Sequence, residues 1–526
     1  MSGISAAVRE QIGQMFLVGF EGLTPPDYLL RWLAEGRAGG VILFARNVES
    51  PSQLAALTQA IHAAARKPAL IAIDQEGGTV ARLRQGFTES PGAMALAAAW
   101  DGGDQTAREG RVRRVSGVLG TEMRALGINW TFAPVLDILY TLDNPSLLTR
   151  SFGADAESVS ALAAAAVTGF QAAGVAACGK HFPGLGNTAI DTHMALPVLD
   201  TPVPSLLKRD LAPYRAAVRA GLAAVMTTHT IFSALDQTYP ATLSPVVVRQ
   251  LLRDALGFEG VVTTDCMEMK AISDHFGPAE SAALAALAGV DIILISHTPA
   301  VQEAAFEGLC SAVESGRVSE EVIVTAAGRI AALKARFPTS VAPDLSVIRC
   351  ASHLDVVREA ARAGTVRYAG KLPFPIAGRG ALVEFASFLE SGIVERGGQT
   401  GLIRLAEERL PGTATFAVKG EGFAPDEQSK LDGLLREIEG ADALILATRN
   451  AHLQPGQLAL ARSLLARAKR AALLCLRSPR DAAVLPGTQV TLCTCGDSTP
   501  SLEAALDALT GQFVPGGRLP FKEMPA

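Results

Sequence analysis

The sequence predicts an α/β protein: a (β/α)8 TIM-like barrel followed by a smaller layered α/β sandwich domain. Three observations point there. Through the first two thirds of the 526 residues, short apolar runs alternate with longer helical patterns, as parallel βα units require. The short runs number eight, the count of a closed barrel. After a proline-marked break near residue 340 a second α/β pattern begins, as expected of a chain too long for one ordinary core.

The eight runs are Gln14–Phe20, Gly40–Phe44, Ala69–Asp74, Trp130–Ala133, Val175–Lys180, Ala223–Thr228, Gly260–Thr264 and Asp291–Ser296. Between them lie helical stretches at Pro51–Ala65, Asp104–Leu126, Ala156–Ala172, Leu206–Ala220, Ser244–Ala255 and Ala279–Leu287, several introduced by Ser, Asp or Pro start signals. Ser319–Arg336 supplies the closing helix. Phe337–Val347 holds two prolines and little periodicity, so residues 1–338 are read as the barrel and 339–372 as a linker with a helix at His353–Ala363. Residues 373–526 form the second domain. Its strands fall at Ala381–Phe388, Ala414–Val418, Ala443–Thr448, Ala471–Leu476 and Gln489–Cys493, with helices including Asp426–Ile438 and Gln457–Ala468, which suggests an open layered sheet.

Composition excludes several classes of function. Hydrophobic residues make up 49% and charged ones 19%, enough apolar material for packed layers. A net charge of −5 gives no basic footprint for phosphates, so nucleic acid is not the expected ligand. The seven cysteines are odd in number and sit mostly in apolar runs, unlike a disulfide framework; a reducing, cytoplasmic setting fits them. Cys493 and Cys495 read as plain strand residues. The N-terminal stretch shows no apolar signal-peptide core, and Ala161–Ala177 is broken by Thr168, Gly169 and Gln171, so neither export nor a membrane partner is expected.

In a (β/α)8 barrel the reactive groups gather at the C-terminal ends of the strands. Polar residues stand at six such ends: Asp74, Asp137, Lys180-His181, His229, Asp265 and His297. Any one alone reads equally well as a capping or loop-satisfying group. Two carboxylates on one rim, Asp74 and Asp265, suit sugar chemistry, in which one attacks or stabilises an oxocarbenium-like centre while another grips hydroxyls. Metal binding is the rival reading, but no HxH, HExxH or DxD spacing occurs, so neither a metal nor a cofactor is expected. The segment from Lys180 to His193 contains two glycines and a proline, as a loop over a pocket would. Asp191 and His193 are two apart, so in an extended segment both face one side and the carboxylate can polarise the imidazole. The pair makes a tunable proton donor.

These residues give the chain a resemblance to glycoside hydrolase family 3, in its bacterial β-N-acetylglucosaminidase branch. It rests on Lys180-His181-Phe182-Pro183-Gly184 followed by Asp191-x-His193, and on the run from Gly257 through Asp265 to Met269. Asp74-Gln75-Glu76-Gly77-Gly78, Arg82 and Arg150-Ser151-Phe152-Gly153 support it. The resemblance implies double displacement through a glycosyl-Asp265 intermediate, with the Asp191–His193 dyad as acid/base. It further implies that Asp74, Arg82, Arg150, Lys180, His181 and His229 bind a terminal β-linked N-acetylglucosaminide, the small carbohydrate partner. The chain departs from the branch at Leu185, where histidine is common, at Asn187, where aspartate is common, and at Cys266, which replaces a frequent second aspartate. A β-glucosidase or β-xylosidase and a phosphorolytic enzyme of the same fold are the alternatives within enzymes; a non-catalytic sugar-binding protein is the alternative outside them, disfavoured because the nucleophile and the dyad are both present. The second domain resembles the family's C-terminal α/β domain, with a structural or subsite role.

Overall fold

The computed structural model describes residues 4–188, 195–339, 343–386, 401–419, 423 and 427–521. All eight predicted barrel strands form: β1 (Phe16–Val18), β2 (Gly40–Leu43), β3 (Leu70–Ile73), β4 (Trp130–Thr131), β5 (Ala176–Phe182), β6 (Ala224–Thr227), β7 (Val261–Thr263) and β8 (Ile293–Ile295). Every neighbouring pair is parallel, β1 lies between β8 and β2, and a parallel bridge from Thr263 to Ile292 joins β7 to β8 and closes the ring. β1, β2, β3, β4, β6, β7 and β8 are buried along their whole length, as is β5, because helices cover the outside and side chains fill the inside. That double burial is why the strands read as unbroken apolar runs. Each fully buried aliphatic side chain stabilises the fold by roughly 1.5–3 kcal/mol.

The helices follow the expected start signals. Ser50 caps Pro51–Ala64 by accepting the Gln53 amide at 3.2 Å, and Asp155 caps Ala156–Ala172 by accepting that of Ser158 at 2.8 Å. Two predicted helices are wound differently from expectation. Leu206–Ala220 divides into a π-type turn at Leu206–Asp210 and an α-helix at Ala212–Arg219, since Pro213 brings no amide to continue the ladder. Val246–Ala255 is likewise wound as a π-helix.

The second sheet has six strands: β9 (Val366–Gly370), β10 (Gly380–Phe385), β11 (Thr413–Val418), β12 (Ala443–Thr448), β13 (Ala471–Cys475) and β14 (Val490–Cys493). Its order is β9-β14-β13-β12-β10-β11, all parallel except β9, which runs antiparallel to β14 along the edge. β9 corrects the sequence reading, which placed residues 366–370 in the linker. The linker helix itself is present at Ala351–Gly364. The chain reverses direction across the sheet between β10 and β12, and the carboxyl ends there are occupied by the buried Arg449 guanidinium, 2.6 Å from Glu384 and 3.0 Å from Asp497.

The two parts share one apolar cluster. Leu139, Leu142 and Leu147 from the loop after β4, and Met94 from the connection after β3, pack with Val383, Leu446 and Cys495 of the second sheet. Polar contacts reinforce the seam: the Thr499 hydroxyl donates to Glu89 at 2.8 Å, His452 Nε2 donates to the Leu142 carbonyl at 3.0 Å, and Arg480 lies 3.2 Å from Asp143.

Candidate active site

At the C-terminal end of the barrel a cavity of about 410 Å3 opens, within the usual size range of small-molecule sites. Asp74 follows β3 and begins a short hairpin, Gln75–Gly77 against Val80–Ala81. The buried Gln75 side chain ties that hairpin shut: its Oε1 accepts the amides of Arg82 at 2.9 Å and Leu83 at 3.0 Å, and its Nε2 donates to the Leu83 carbonyl at 3.2 Å. Gly78, at φ +60°, turns the hairpin so close to Gly92 that a Cβ there would lie 2.5 Å from the Gly92 Cα. The hairpin thereby presents Asp74, Glu76 and Arg82 to the same cavity.

Opposite them stand Lys180 and His181 on β5. Consecutive strand residues ordinarily face opposite sides, but the register with β6 shifts between Gly179 and Phe182, and both side chains line the cavity. Lys180 Nζ lies 2.7 Å from Asp74 and 2.6 Å from Glu76. Arg150 grips Glu76 with two parallel bonds of 2.9 and 2.8 Å, and Arg82 lies 3.4 Å from Asp74. Burial alone would push both carboxyls upward, but Lys180 with Arg82 holds Asp74 well below the usual carboxylate range, and Arg150 with Lys180 brings Glu76 down to about 2. Burial likewise works against the Lys180 charge, and the two carboxylates overcome it and raise its pKa. The result is a fixed lattice of charges. Asp74 and Glu76 accept hydrogen bonds and cannot serve as proton donors near neutral pH.

His181 is oriented by Asp137, whose Oδ2 accepts from Nδ1 at 2.7 Å, while Oδ1 accepts the Leu185 amide, also at 2.7 Å. One carboxylate therefore fixes a cavity-lining imidazole and the start of the loop after β5. Asp265 follows β7, is half-buried, lines the same cavity, and accepts the Cys266 amide at 2.7 Å. Phe44, Phe132, Met226 and Leu294 add an apolar wall.

The structure brings together Asp74, Arg82, Arg150, Lys180, His181 and Asp265. His229 is the exception. It is fully buried and does not line the cavity: Nε2 donates to the Cys266 carbonyl at 2.9 Å and Nδ1 faces the Thr242 hydroxyl at 2.8 Å, because β6 turns this ring toward the base of the β7 loop. Its contact is with the backbone beside Asp265. Asp191 and His193 lie outside the described residues. In the sequence Glu76 stands out only as part of the Asp74–Gly78 motif, yet it joins Arg150 to Lys180 at the centre of the lattice; its place two residues after Asp74, on the same side of an extended segment, is the signal that marks it. Among the described residues one group could hold a metal: Cys266, Glu268 and His297 offer ligand atoms within 4.8 Å of one another.

A small cavity lined by fixed charges, an apolar wall and an additional carboxylate suits a small polar substrate, and similarity to known proteins makes the chain a glycoside hydrolase. The chain belongs to glycosyl hydrolase family 3, the N-terminal domain of which matches residues 7–333. It is 42% identical over 269 residues to a β-hexosaminidase of Thiobacillus denitrificans, a match spanning 51% of this chain and 74% of that one. A solved family 3 β-N-acetylglucosaminidase from Paenibacillus sp. str. FPU-7 superposes with a TM-score of 0.90 at 35% identity, covering 97% of this chain and 98% of that one. The β-N-acetylhexosaminidase of Beutenbergia cavernae, 32% identical with a TM-score of 0.57, is covered over its whole length by 64% of this chain.

Proposed function

We propose that the chain is a retaining, exo-acting β-N-acetylglucosaminidase that removes a terminal β-linked N-acetylglucosamine. The observation that carries this reading is Asp265 at the end of β7, facing a cavity in which Asp74 and Glu76 are locked in ion pairs. The similarity to enzymes named β-hexosaminidase and β-N-acetylglucosaminidase supports the choice of sugar. Asp74, Arg82, Arg150, Lys180 and His181 hold the ring hydroxyls. Asp265 attacks the anomeric carbon as the glycosidic C–O bond breaks, and His193, polarised by Asp191, delivers its proton to the departing oxygen. In the second displacement the same imidazole takes a proton from water, which attacks the glycosyl-Asp265 ester and releases the sugar with retained configuration.

This division of labour is economical in charge. An imidazole as the acid/base avoids a further carboxylate beside Asp265 and Asp74, which would raise their pKa values. Residues 1–338 then constitute the catalytic unit, 339–372 the connection and 373–526 a supporting domain, and the enzyme works in the cytoplasm. The test is kcat/KM on p-nitrophenyl β-N-acetylglucosaminide against the β-glucoside, each with water and with phosphate as acceptor. A preference for the glucoside, or a requirement for phosphate, would overturn the reading.

A further inference from the structure

The trio of Cys266, Glu268 and His297 stands at the cavity mouth but has no part in the reaction above. All three line the cavity, and their Sγ, carboxylate and imidazole atoms lie within 4.8 Å of one another. Ligands of a tetrahedral zinc-class ion, bound at ~2.0–2.3 Å, stand roughly 3.3–3.8 Å apart, so side-chain rotations on the order of an ångström would close the group around an ion.

The surroundings hold these side chains as a metal's supporting groups would. Glu268 accepts the backbone amides of His297 at 2.6 Å and Thr298 at 3.0 Å, at the start of the helix Pro299–Glu314. Each carboxylate oxygen takes one amide and keeps lone-pair capacity for a cation. His229 grips the Cys266 carbonyl at 2.9 Å, and the His297 ring packs on Phe44 with centroids 5.6 Å apart. Cys266 is largely buried, Glu268 half-buried and His297 exposed, so the trio runs from the cavity wall to solvent and leaves an entry path.

We propose that Cys266, Glu268 and His297 form a binding site for a thiophilic divalent cation of the zinc class. The mixture of sulfur, nitrogen and oxygen selects Zn2+ or Cd2+ over Mg2+ and Ca2+, which take oxygen ligands. Three protein ligands leave a fourth position open toward the cavity for water or a sugar hydroxyl. On binding, the Cys266 S–H bond breaks, its electron pair becomes the S–metal bond and the proton leaves to solvent; no redox change occurs. The ion sits one residue from Asp265, draws its carboxylate away from an anomeric carbon and occupies part of the cavity. It therefore inhibits the enzyme, a consequence that rests on the function proposed above, whereas the binding does not.

The test uses the full-length chain stripped with a chelator and titrated with Co2+ in a spectrophotometer and with Zn2+ in a calorimeter. The site predicts a near-ultraviolet thiolate-to-metal charge-transfer band that saturates at one Co2+ and is lost in Cys266→Ser. It also predicts Zn2+ affinity weakened at least about tenfold in Cys266→Ser and in His297→Gln, with no saturable heat from Mg2+. His297 is exposed, so His297→Gln carries the test should Cys266→Ser fail to fold. A band and affinity unchanged in both variants would place the ion on other cysteines and overturn the proposal, as would absence of any thiolate band in the parent protein. A chain that binds Co2+ through Cys266 yet does not cleave the N-acetylglucosaminide would leave this site standing and sink the function instead.

Discussion

Lys180 Nζ lies 2.6 Å from the Glu76 carboxylate, and the same ammonium bonds Asp74 at 2.7 Å, so one buried cation joins the two acidic groups of the β3 hairpin. Removing it should leave two buried carboxylates leaning on arginines alone. Lys180→Met is expected to cost about 3–5 kcal/mol of stability, with kcat/KM falling at least ~100-fold. Thermal melts and steady-state kinetics check this. A variant as stable and active as the parent would mean that the lattice neither supports the fold nor orients the sugar.

The acid limb of stability follows from the same lattice. Glu76 is lowered from 4.5 to about 2, burial being outweighed by Arg150 and Lys180. A depressed carboxylate stabilises the fold above its unfolded value and loses that contribution as pH falls through the folded one. The melting temperature should therefore drop between pH about 4.5 and 2, and Glu76→Gln should flatten the slope across that window whatever it does to stability at neutral pH. Parallel slopes would remove Glu76 from the account.

Asp265→Ala is expected to fold normally and to lose turnover by at least ~10³-fold. A 2-fluoro sugar substrate, trapped and mapped by peptide mass, should label Asp265. Label on Asp74 or Glu76 would reassign the nucleophile.

For His193→Ala the loss, roughly 10²–10⁴-fold, should fall on substrates with poor leaving groups and spare activated aryl glycosides. Equal losses on both would replace the proton-transfer role with one in binding.

His229 offers a positioning test, because its bond to the Cys266 carbonyl supports the backbone that carries Asp265. His229→Ala removes one of that carbonyl's two hydrogen bonds and leaves the Met269 amide at 3.1 Å, at a cost of about 0.5–1.5 kcal/mol. Its effect should appear in kcat more than in KM, since the ring does not face the cavity. A change confined to KM would restore His229 to sugar binding.

Much of this arrangement was legible in the sequence, and the remainder was hidden for physical reasons. Barrel strands covered on both faces must be apolar throughout, so their runs stood out, and with them the polar residues closing each one. β9 escaped because only Val366 of its five residues is buried and an exposed edge carries no such pattern. Nothing in the residue type of His229 distinguishes a ring aimed into a cavity from one aimed at a backbone carbonyl; only the turn after β6 decides it. The trio of Cys266, Glu268 and His297 was invisible to any search by spacing, because its members come from the loops after two different strands that the closing barrel brings side by side.

The apolar seam between barrel and second sheet bears on how the molecule comes apart. The loop that carries Arg150 also carries Leu139, Leu142 and Leu147, which share one apolar cluster with Val383, Leu446 and Cys495 across the seam. Opening it would bare a continuous greasy strip on each side, so neither half gains by letting go first. Heating should accordingly produce a single calorimetric transition in which the enthalpy obtained from its shape equals that obtained from its area, the mark of two halves melting as one cooperative unit.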